Sequence, residues 1–245
     1  MKEIIKNGRR LIEAYKNGEL GQTIMPEDSN PHFLKSQKEE RFCYFSLPMA
    51  LNYQRDSYKL WEAALKTYND PKTKKVFDLK VVSQMSEPEL RKLLTKYKLA
   101  LQPNKHIATW QKIAQTVVNN WGSFSNMLES IDNDFLILRD LMQCEHKKGF
   151  PYLSGPKIFN YWSYILGEYC GVKFKNAKHI DIAPDTHITK CSVILSVITE
   201  EEAKSLSKEQ ISDRWRDILA DTGINPIDLH APLWFWSRNG FLFKL

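Results

Sequence analysis

The stretch that decides the fold is residues 106–122, HIATWQKIAQTVVNNWG. Its apolar residues recur every three or four positions, which places them on one face of a helix. These positions are Ile107, Trp110, Ile113, Ala114, Val117, Val118 and Trp121. Gly122 follows, and glycine is the residue that most often ends a helix in the left-handed conformation. The stretch therefore predicts an amphipathic helix that ends at Gly122.

The same periodicity extends outward in both directions along the chain. It recurs in residues 2–15, 58–68, 158–169 and 207–219. Ser86 with Glu89, and Ser207 with Gln210, have the spacing of capping boxes, which begin helices. Alternating strand patterns are nearly absent. We predict an all-α protein of about ten helices, in which residues 16–40 are the loosest connection.

Composition narrows the class of protein. The chain has 245 residues, 42% of them hydrophobic and 26% charged, as in ordinary globular domains. It contains no apolar run of the roughly 18 residues that a membrane span needs, and its start lacks the apolar core of a signal peptide. The four cysteines have no spacing suited to zinc or an iron–sulfur cluster. We expect a cytoplasmic protein, nucleoid-associated in a prokaryote, with no membrane contact, no metal and no cofactor.

The net charge of +6 leaves two interpretations open. A charge of this size is normal for solubility, and it also suits a polyanionic partner such as nucleic acid.

The first candidate site is residues 150–157, FPYLSGPK, which precede an aromatic-rich helix. A turn rich in proline and glycine at the start of a helix directs backbone N–H groups outward, which suits a phosphate. Lys157 would lie in the first turn, where the helix dipole disfavours a cation. An amine held there has a lowered pKa and could act as a nucleophile. The alternative is an exposed lysine at the edge of a loop.

The second candidate site is Pro184-Asp185-Thr186-His187-Ile188. Pro184 cannot continue a preceding helix, and Asp185 is a good N-cap for the next one. Taken alone, the segment is explained by capping.

Together, the order and content of these two segments resemble the helix–hairpin–helix/GPD superfamily of DNA glycosylases. Gly155-Pro156-Lys157 is similar to the Gly-x-Lys that ends the hairpin of this family. The segment from Asp185 to Ile188 is close to the one that carries the catalytic aspartate in endonuclease III-like members. The usual hairpin reads Leu-Pro-Gly-Val-Gly, and this chain lacks the first glycine. Divergent archaeal oxoguanine glycosylases also have modified hairpins, and this chain resembles them in that respect.

The resemblance extends upstream and covers residues 42 to 198. Residues 51–56, LNYQRD, resemble the family's Leu-Ser-x-Gln segment, whose glutamine fills the space left by the extruded base. Residues 101–105, LQPNK, resemble its Gly-x-x-Asn-x-Lys region. The resemblance thus implies a set of DNA-binding residues. These are Gln54, Asn104, Lys105, Ser154 and Gly155.

The family implies two helical lobes, a helix–hairpin–helix element and an active site in the cleft between the lobes. Residues 1–49 and 156–245 would form one lobe, and residues 50–155 would form the other. The implied activity is that of a base-excision-repair DNA glycosylase with AP-lyase activity, and 8-oxoguanine is the favoured lesion. Lys157 would form a Schiff base with assistance from Asp185. The partner would be duplex DNA with a damaged base, bound by a monomer without an obligate protein partner.

Three alternatives stay open at this stage. The first is a monofunctional glycosylase for alkylated or mismatched bases, in which Lys157 is incidental. The second is a helix–hairpin–helix protein that binds DNA without cutting it. The third is a helical interaction protein with no affinity for nucleic acid.

Overall fold

The structure is a computed structural model that describes residues 1–245. It contains thirteen α-helices and no strand, so the predicted all-α class is confirmed. The one β-type pairing is an isolated bridge between Asp134 and Lys175. None of the helices combines the length and the apolar character that crossing a membrane requires.

Most of the helices follow one another through short connections, and the longest connections are residues 17–37, 141–155 and 171–185. They are α1 (Lys2–Lys16), α2 (Lys38–Ala50), α3 (Ser57–Asn69), α4 (Leu79–Gln84), α5 (Glu87–Thr95), α6 (Pro103–Trp121), α7 (Phe124–Ser130), α8 (Phe135–Asp140), α9 (Pro156–Cys170), α10 (Thr186–Ile194), α11 (Glu200–Ser205), α12 (Lys208–Leu219) and α13 (His230–Arg238). Short 3-10 turns at Pro26–Asp28 and Lys147–Gly149, and a π-helical turn at Leu141–Glu145, matter below.

The helix predicted from residues 106–122 is α6. It begins three residues earlier than expected, because Pro103 occupies the first helical position, where its missing N–H costs nothing. Ile107, Trp110 and Ile113 are fully buried. Gly122 ends the helix with φ +79°, and its N–H donates to the carbonyls of the last turn.

Of the two predicted capping boxes, the one at Ser207 is confirmed and the one at Ser86 is not formed. Ser207 and Gln210 exchange both bonds, at 3.2 and 2.8 Å. Ser86 precedes α5 as predicted, but its hydroxyl makes no capping bond. Glu89, the intended partner, instead pairs with Lys75 at 2.6 Å. An ion pair with a neighbouring element therefore replaces the local capping interaction.

The chain divides into two compact units. The middle unit is Met25–Lys175, and the terminal unit is Met1–Ile24 with Asn176–Leu245. Both this division and the predicted lobes group α1 with the C-terminal helices. They differ in α2 and α9, which the predicted lobes assign to the terminal segments. The lobes with boundaries at 49/50 and 155/156 stay a prediction.

In the middle unit, α2 packs against α9, α7 and α3, and α4 packs against α6. Buried tryptophans from different helices fill this core and find acceptors for their indole N–H groups. Trp110 donates to the Val76 carbonyl at 2.8 Å, and Trp162 donates to the Ser46 hydroxyl at 2.9 Å. These bonds join elements that are distant in sequence.

In the terminal unit, α13 packs against both α1 and α10. The Arg9 guanidinium donates to the Thr222 carbonyl at 2.6 Å, and Asn239 donates to the Leu20 carbonyl. The first and last helices of the chain thereby stabilise one another.

Glu39, on α2, holds the N-terminus of α7. Its carboxylate accepts hydrogen bonds from the backbone N–H groups of Phe124 and Ser125, at 2.8 and 2.9 Å, and from the Ser125 hydroxyl at 2.9 Å. A carboxylate is favoured there because the first amides of a helix lack acceptors and carry partial positive charge.

We expect Glu39→Ala to lower the free energy of unfolding by about 2 kcal/mol, because it leaves two backbone donors of α7 unpaired. Denaturant unfolding of the full chain measures the change. Glu129→Ala is the matched control, since Glu129 is 59% exposed in its pair with Lys38 and should contribute less than about 0.5 kcal/mol. Equal losses in the two variants would contradict a capping role for Glu39.

Candidate functional site

The predicted hairpin is a compact turn between α8 and α9. After α8 the chain passes through the π-helical turn and the 3-10 turn, and then folds back over residues 151–154. The amides of Leu153, Ser154 and Gly155 donate to carbonyls two to four residues earlier, at 2.7–3.0 Å. These amides are therefore already paired. The N–H groups that could reach a phosphate are those of the first turn of α9, where Ile158 has no acceptor within the helix.

Tyr152 and Gly155 give the turn over residues 151–154 its shape. Tyr152 adopts the left-handed conformation at φ +62°, which costs a side-chain-bearing residue about 1–2 kcal/mol. Gly155 has an ordinary φ of −63°, but a Cβ there would lie only 3.2 Å from the Tyr152 carbonyl oxygen. A side chain at 155 would thus require the Tyr152 carbonyl to shift by a few tenths of an ångström, so glycine suits the close packing of the turn.

Ser154 is buried, and its carbonyl accepts a hydrogen bond from the Gln143 side chain at 3.1 Å. Lys157 is the second residue of α9 and is exposed. No side chain caps this helix, so the positive end of its dipole lies beside Lys157. Lys157 therefore lies in the first turn of the helix, as predicted, and is exposed, as the alternative interpretation also expects. Its role as a nucleophile stays a prediction.

The segment that contains Gln54 lies against this hairpin. Gln54 is exposed, at φ +47°, in the connection between α2 and α3. The neighbouring ring of Tyr53 is 41% exposed, and its centroid is 5.6 Å from that of Tyr152. Two segments about a hundred residues apart, which were identified separately in the sequence, therefore meet in the middle unit.

Arg55 connects the segment that contains Gln54 to the residues that precede α6. Its guanidinium donates to the Leu99 carbonyl at 2.7 Å and to the Lys98 carbonyl at 3.1 Å. Asn104 and Lys105 follow closely, as exposed residues in the first turn of α6. The Asn104 side-chain oxygen accepts two bonds from Arg91 at 3.1 Å, which orients its amide group.

Asp185 belongs to the terminal unit, and both of its carboxylate oxygens have donors. One oxygen accepts from the Ile188 N–H at 2.9 Å, so the predicted N-cap of α10 is confirmed. The other accepts from the indole N–H of Trp234 at 3.1 Å. Trp234 is on α13, 49 residues away in sequence. No local sequence pattern links Trp234 to Asp185.

Trp234 is itself surrounded by polar and aromatic groups. The His187 ring contacts it edge-on at 5.5 Å, and the Arg238 guanidinium lies 5.0 Å from its ring centroid. His187 Nδ1 is 3.0 Å from the Ser237 hydroxyl oxygen, so this histidine also has a hydrogen-bond partner on α13. Asp185 is thus oriented by a network and not by its own helix alone.

The predicted residues divide between the two units. Six belong to the middle unit, and Asp185 belongs to the terminal unit. The six are Gln54, Asn104, Lys105, Ser154, Gly155 and Lys157. Contacts in the middle unit connect the elements that carry these six residues.

Glu27 is a buried carboxyl that the sequence analysis overlooked, because it lies in the stretch expected to be a loose connection. Its side chain is 2% exposed, and one oxygen accepts a hydrogen bond from the Tyr161 hydroxyl at 3.1 Å. Burial raises the pKa of Glu27 to about 7. No helical periodicity or motif marks this residue, so only the structure identifies it.

A cavity of about 680 Å³ also opens in the middle unit. Its lining includes Glu39, Glu40, Lys74, Lys75 and Lys80. These carboxylates already have partners, since Glu39 caps α7 and Glu40 pairs with Lys74 at 2.7 Å. None of the residues predicted from the sequence lines this cavity, and its charges have a structural explanation.

Comparison with known protein families and with curated proteins finds no match to this sequence. Function therefore has to be inferred from the residues of the chain and their surroundings.

The raised pKa of Glu27 predicts a specific pH dependence of stability. The folded state holds the proton up to about pH 7, whereas the unfolded chain releases it near pH 4.5. The contribution of the protonated Glu27 carboxyl to the free energy of unfolding is fully present below pH 4.5 and is lost as the pH rises towards 7. Between pH 5 and pH 8, Glu27 should therefore lower the free energy of unfolding by about 2–3 kcal/mol.

Glu27→Gln removes the titrating group, so the difference in stability between variant and wild type should change by that amount across this pH range. Urea unfolding of both proteins at pH 5, 6, 7 and 8 measures it. Parallel curves for the two proteins would show that Glu27 does not titrate in this window.

Proposed function

We propose that the protein is a base-excision DNA glycosylase with AP-lyase activity, acting on a damaged base in duplex DNA, with 8-oxoguanine as the first candidate. The observation that carries this proposal is the contact between Tyr53 and Tyr152. It joins the Gln54 segment to the hairpin that precedes Lys157, two features that resemble the same enzyme family.

Exposed basic residues surround these features in the middle unit. They are Lys98, Lys105, Lys147, Lys148 and Lys157. Their charges favour the phosphate backbone, and the release of counterions from DNA contributes to affinity. The first turn of α9 adds backbone N–H groups that suit one phosphate. This surface would position the duplex without reading its sequence.

Base flipping is the step assigned to the Gln54 segment. Extrusion of a nucleotide costs a few kcal/mol, which phosphate contacts and the filling of the vacated stack must offset. Gln54 is an exposed residue in a left-handed turn, next to the exposed ring of Tyr53. A polar side chain with an adjacent aromatic ring suits the space that the base leaves.

In the proposed reaction, the neutral Lys157 amine attacks C1′ of the damaged nucleotide, and the bond from C1′ to the base breaks as the base leaves with a proton. Charge develops on the sugar, and the oriented carboxylate of Asp185 stabilises it. The sugar ring of this adduct then opens, as the C1′–O4′ bond breaks and O4′ takes a proton, which leaves a protonated Schiff base between Lys157 and C1′. Loss of a proton from C2′ then breaks the bond from C3′ to the phosphate oxygen, and the phosphate leaves. The reaction requires Lys157 and Asp185 to face one cleft between two helical lobes, which is part of the proposal.

Borohydride trapping tests the role of Lys157, because reduction converts a Schiff base into a stable protein–DNA adduct. We expect an adduct on duplexes that contain 8-oxoguanine or an abasic site, and none with Lys157→Gln. Lys157→Arg is the matched control, because it keeps the positive charge and DNA affinity but cannot form the Schiff base. Persistent strand cleavage in Lys157→Gln would overturn the role of this lysine.

Asp185→Asn should slow base release about 100-fold, because it removes the negative charge that stabilises the positive charge developing on the sugar. Asparagine still offers an oxygen to cap α10, so the free energy of unfolding should fall by no more than about 1 kcal/mol. Asp78→Asn is the matched control, since Asp78 caps α4 in the same way. Single-turnover base release and denaturant unfolding, measured on both variants, separate the catalytic role from the capping role.

One observation favours a second candidate, a helix–hairpin–helix protein that binds DNA without chemistry. The capping of α10 and the bond to Trp234 already give Asp185 a structural role. This candidate predicts salt-dependent duplex binding, with no adduct and no base release on any lesion. Abasic sites revealed by alkali, in the absence of an adduct, would instead favour a monofunctional glycosylase.

A further inference from the structure

His106 holds the part of the chain that leads into α6. It is the fourth residue of this helix and is 1% exposed. Its Nδ1 accepts hydrogen bonds from the backbone N–H groups of Leu101 and Gln102, at 3.2 and 3.5 Å. Neither amide has another acceptor within the protein. The backbone N–H of His106 donates in return to the Gln102 carbonyl at 2.8 Å, so the two residues are joined twice.

This contact resembles one half of a capping box, with an imidazole in place of the usual carboxylate or amide. In a capping box, the side chain of a Glu or Gln in the first turn accepts from the N–H of the N-cap residue. Gln102 is the N-cap residue of α6, and its own side chain makes no capping bond. The imidazole differs from an amide in one respect. It accepts only while it is neutral, because protonation converts Nδ1 into a donor.

The surroundings of the ring favour its neutral form. Because Nδ1 accepts, the proton of the neutral ring is on Nε2, which is buried and has no acceptor. Burial, together with the nearby cations Arg55 and Lys105, lowers the pKa of His106 below its usual value of 6.5. A protonated ring would therefore have two N–H groups, no acceptor and two cations beside it.

The other charged groups of this region have partners of their own. Asp56 acts on Arg55 and accepts from the N–H of Lys59. Arg91 of α5 pairs with Glu87 and donates to Asn104. Both charged groups that act on the His106 ring are thus cations, and neither would stabilise a second proton.

We propose that His106 is a pH-sensitive switch that fastens residues 98–102 to α6 at neutral pH and releases them in acid. After protonation, Nδ1 faces two amide donors as a third donor, so both bonds break. Leu101 is 50% exposed, so the freed amides can bond to water and the opening stays local. The Arg55 guanidinium is bonded to the carbonyls of Lys98 and Leu99, so the opening also loosens the connection to the Gln54 segment.

The direction of the effect distinguishes this switch from the titration of Glu27. The hydrogen bonds of His106 are fully present above pH 6.5, where the imidazole is neutral in the closed and the open form. They are lost as the pH falls below 6.5, since the open form takes up the proton more readily. Acid therefore weakens the contact at His106, whereas it protonates and stabilises the buried carboxyl of Glu27.

Amide hydrogen exchange of the full chain, read residue by residue by NMR, tests the switch without DNA. After correction for the intrinsic effect of pH on exchange, the protection of Leu101 and Gln102 should fall about tenfold between pH 7.5 and pH 5.5, because opening takes up one proton. The amide of Gly122 is the internal reference, since it bonds to carbonyls at the other end of α6. Equal protection of Leu101 and Gln102 at the two pH values would overturn the inference without the need for any variant.

Two substitutions then assign the titration to His106. His106→Asn places an oxygen acceptor where Nδ1 lies and does not titrate, so protection should stay the same at pH 7.5 and pH 5.5. His106→Leu has no acceptor and should lose about tenfold protection already at pH 7.5, the value of one hydrogen bond. His32→Asn is the matched control, because His32 is exposed, and it should respond to pH like the wild type. A pH response that persists in His106→Asn would assign the titration to another group and overturn the inference.

The consequence for DNA rests on the proposed function, because residues 98–102 lead into Asn104 and Lys105. A duplex that binds the closed form should restore the protection of Leu101 and Gln102 at pH 5.5. Loss of protection in acid, without duplex binding or a trapped adduct, would retain the switch and reject the glycosylase. A trapped adduct that depends on Lys157, with protection independent of pH, would do the reverse.

Discussion

The burial of α2 is the constraint on which the middle unit depends. Nine consecutive residues of this helix, 42–50, are buried, so it has no solvent-facing side over that length. A helix that is buried all round has to be surrounded by other elements, and α3, α6, α7 and α9 provide that cover. Because α2 ends at Ala50, the same packing determines where the Gln54 segment emerges and which residues it can meet.

Polar interactions then specify how the helices around α2 are arranged. The hydroxyl of Ser46 accepts from Trp162 on α9, and the carboxylate of Glu39 receives two amides of α7. Hydrophobic burial is non-directional, so it stabilises many arrangements of these helices. Hydrogen bonds between buried groups favour one arrangement, because a misplaced helix would leave the donor and the acceptor unpaired. The hairpin and α9 are positioned by this combination.

Much of this fold is predictable from local sequence. The α6 helix is evident from its apolar spacing and from Gly122, and the N-cap role of Asp185 follows from the proline before it. The capping box at Ser86 was wrong because Glu89 finds Lys75, a competitor that no local pattern reveals. In the turn over residues 151–154, Tyr152 adopts the left-handed conformation, which no sequence pattern indicated for a tyrosine. Local rules hold until a tertiary partner offers a more favourable interaction.

The sequence by itself determined the helical class, the positions of the main helices and the segments that resemble a glycosylase, because these depend on spacing and on residue type. Only the tertiary structure decided which groups became partners. It paired Asp185 with Trp234, brought Tyr53 against Tyr152, and buried Glu27 against the Tyr161 hydroxyl in a stretch that looked like a loose connection. The physical reason is that helix formation is a local equilibrium, whereas the pairing of buried polar groups depends on packing between residues far apart in the chain.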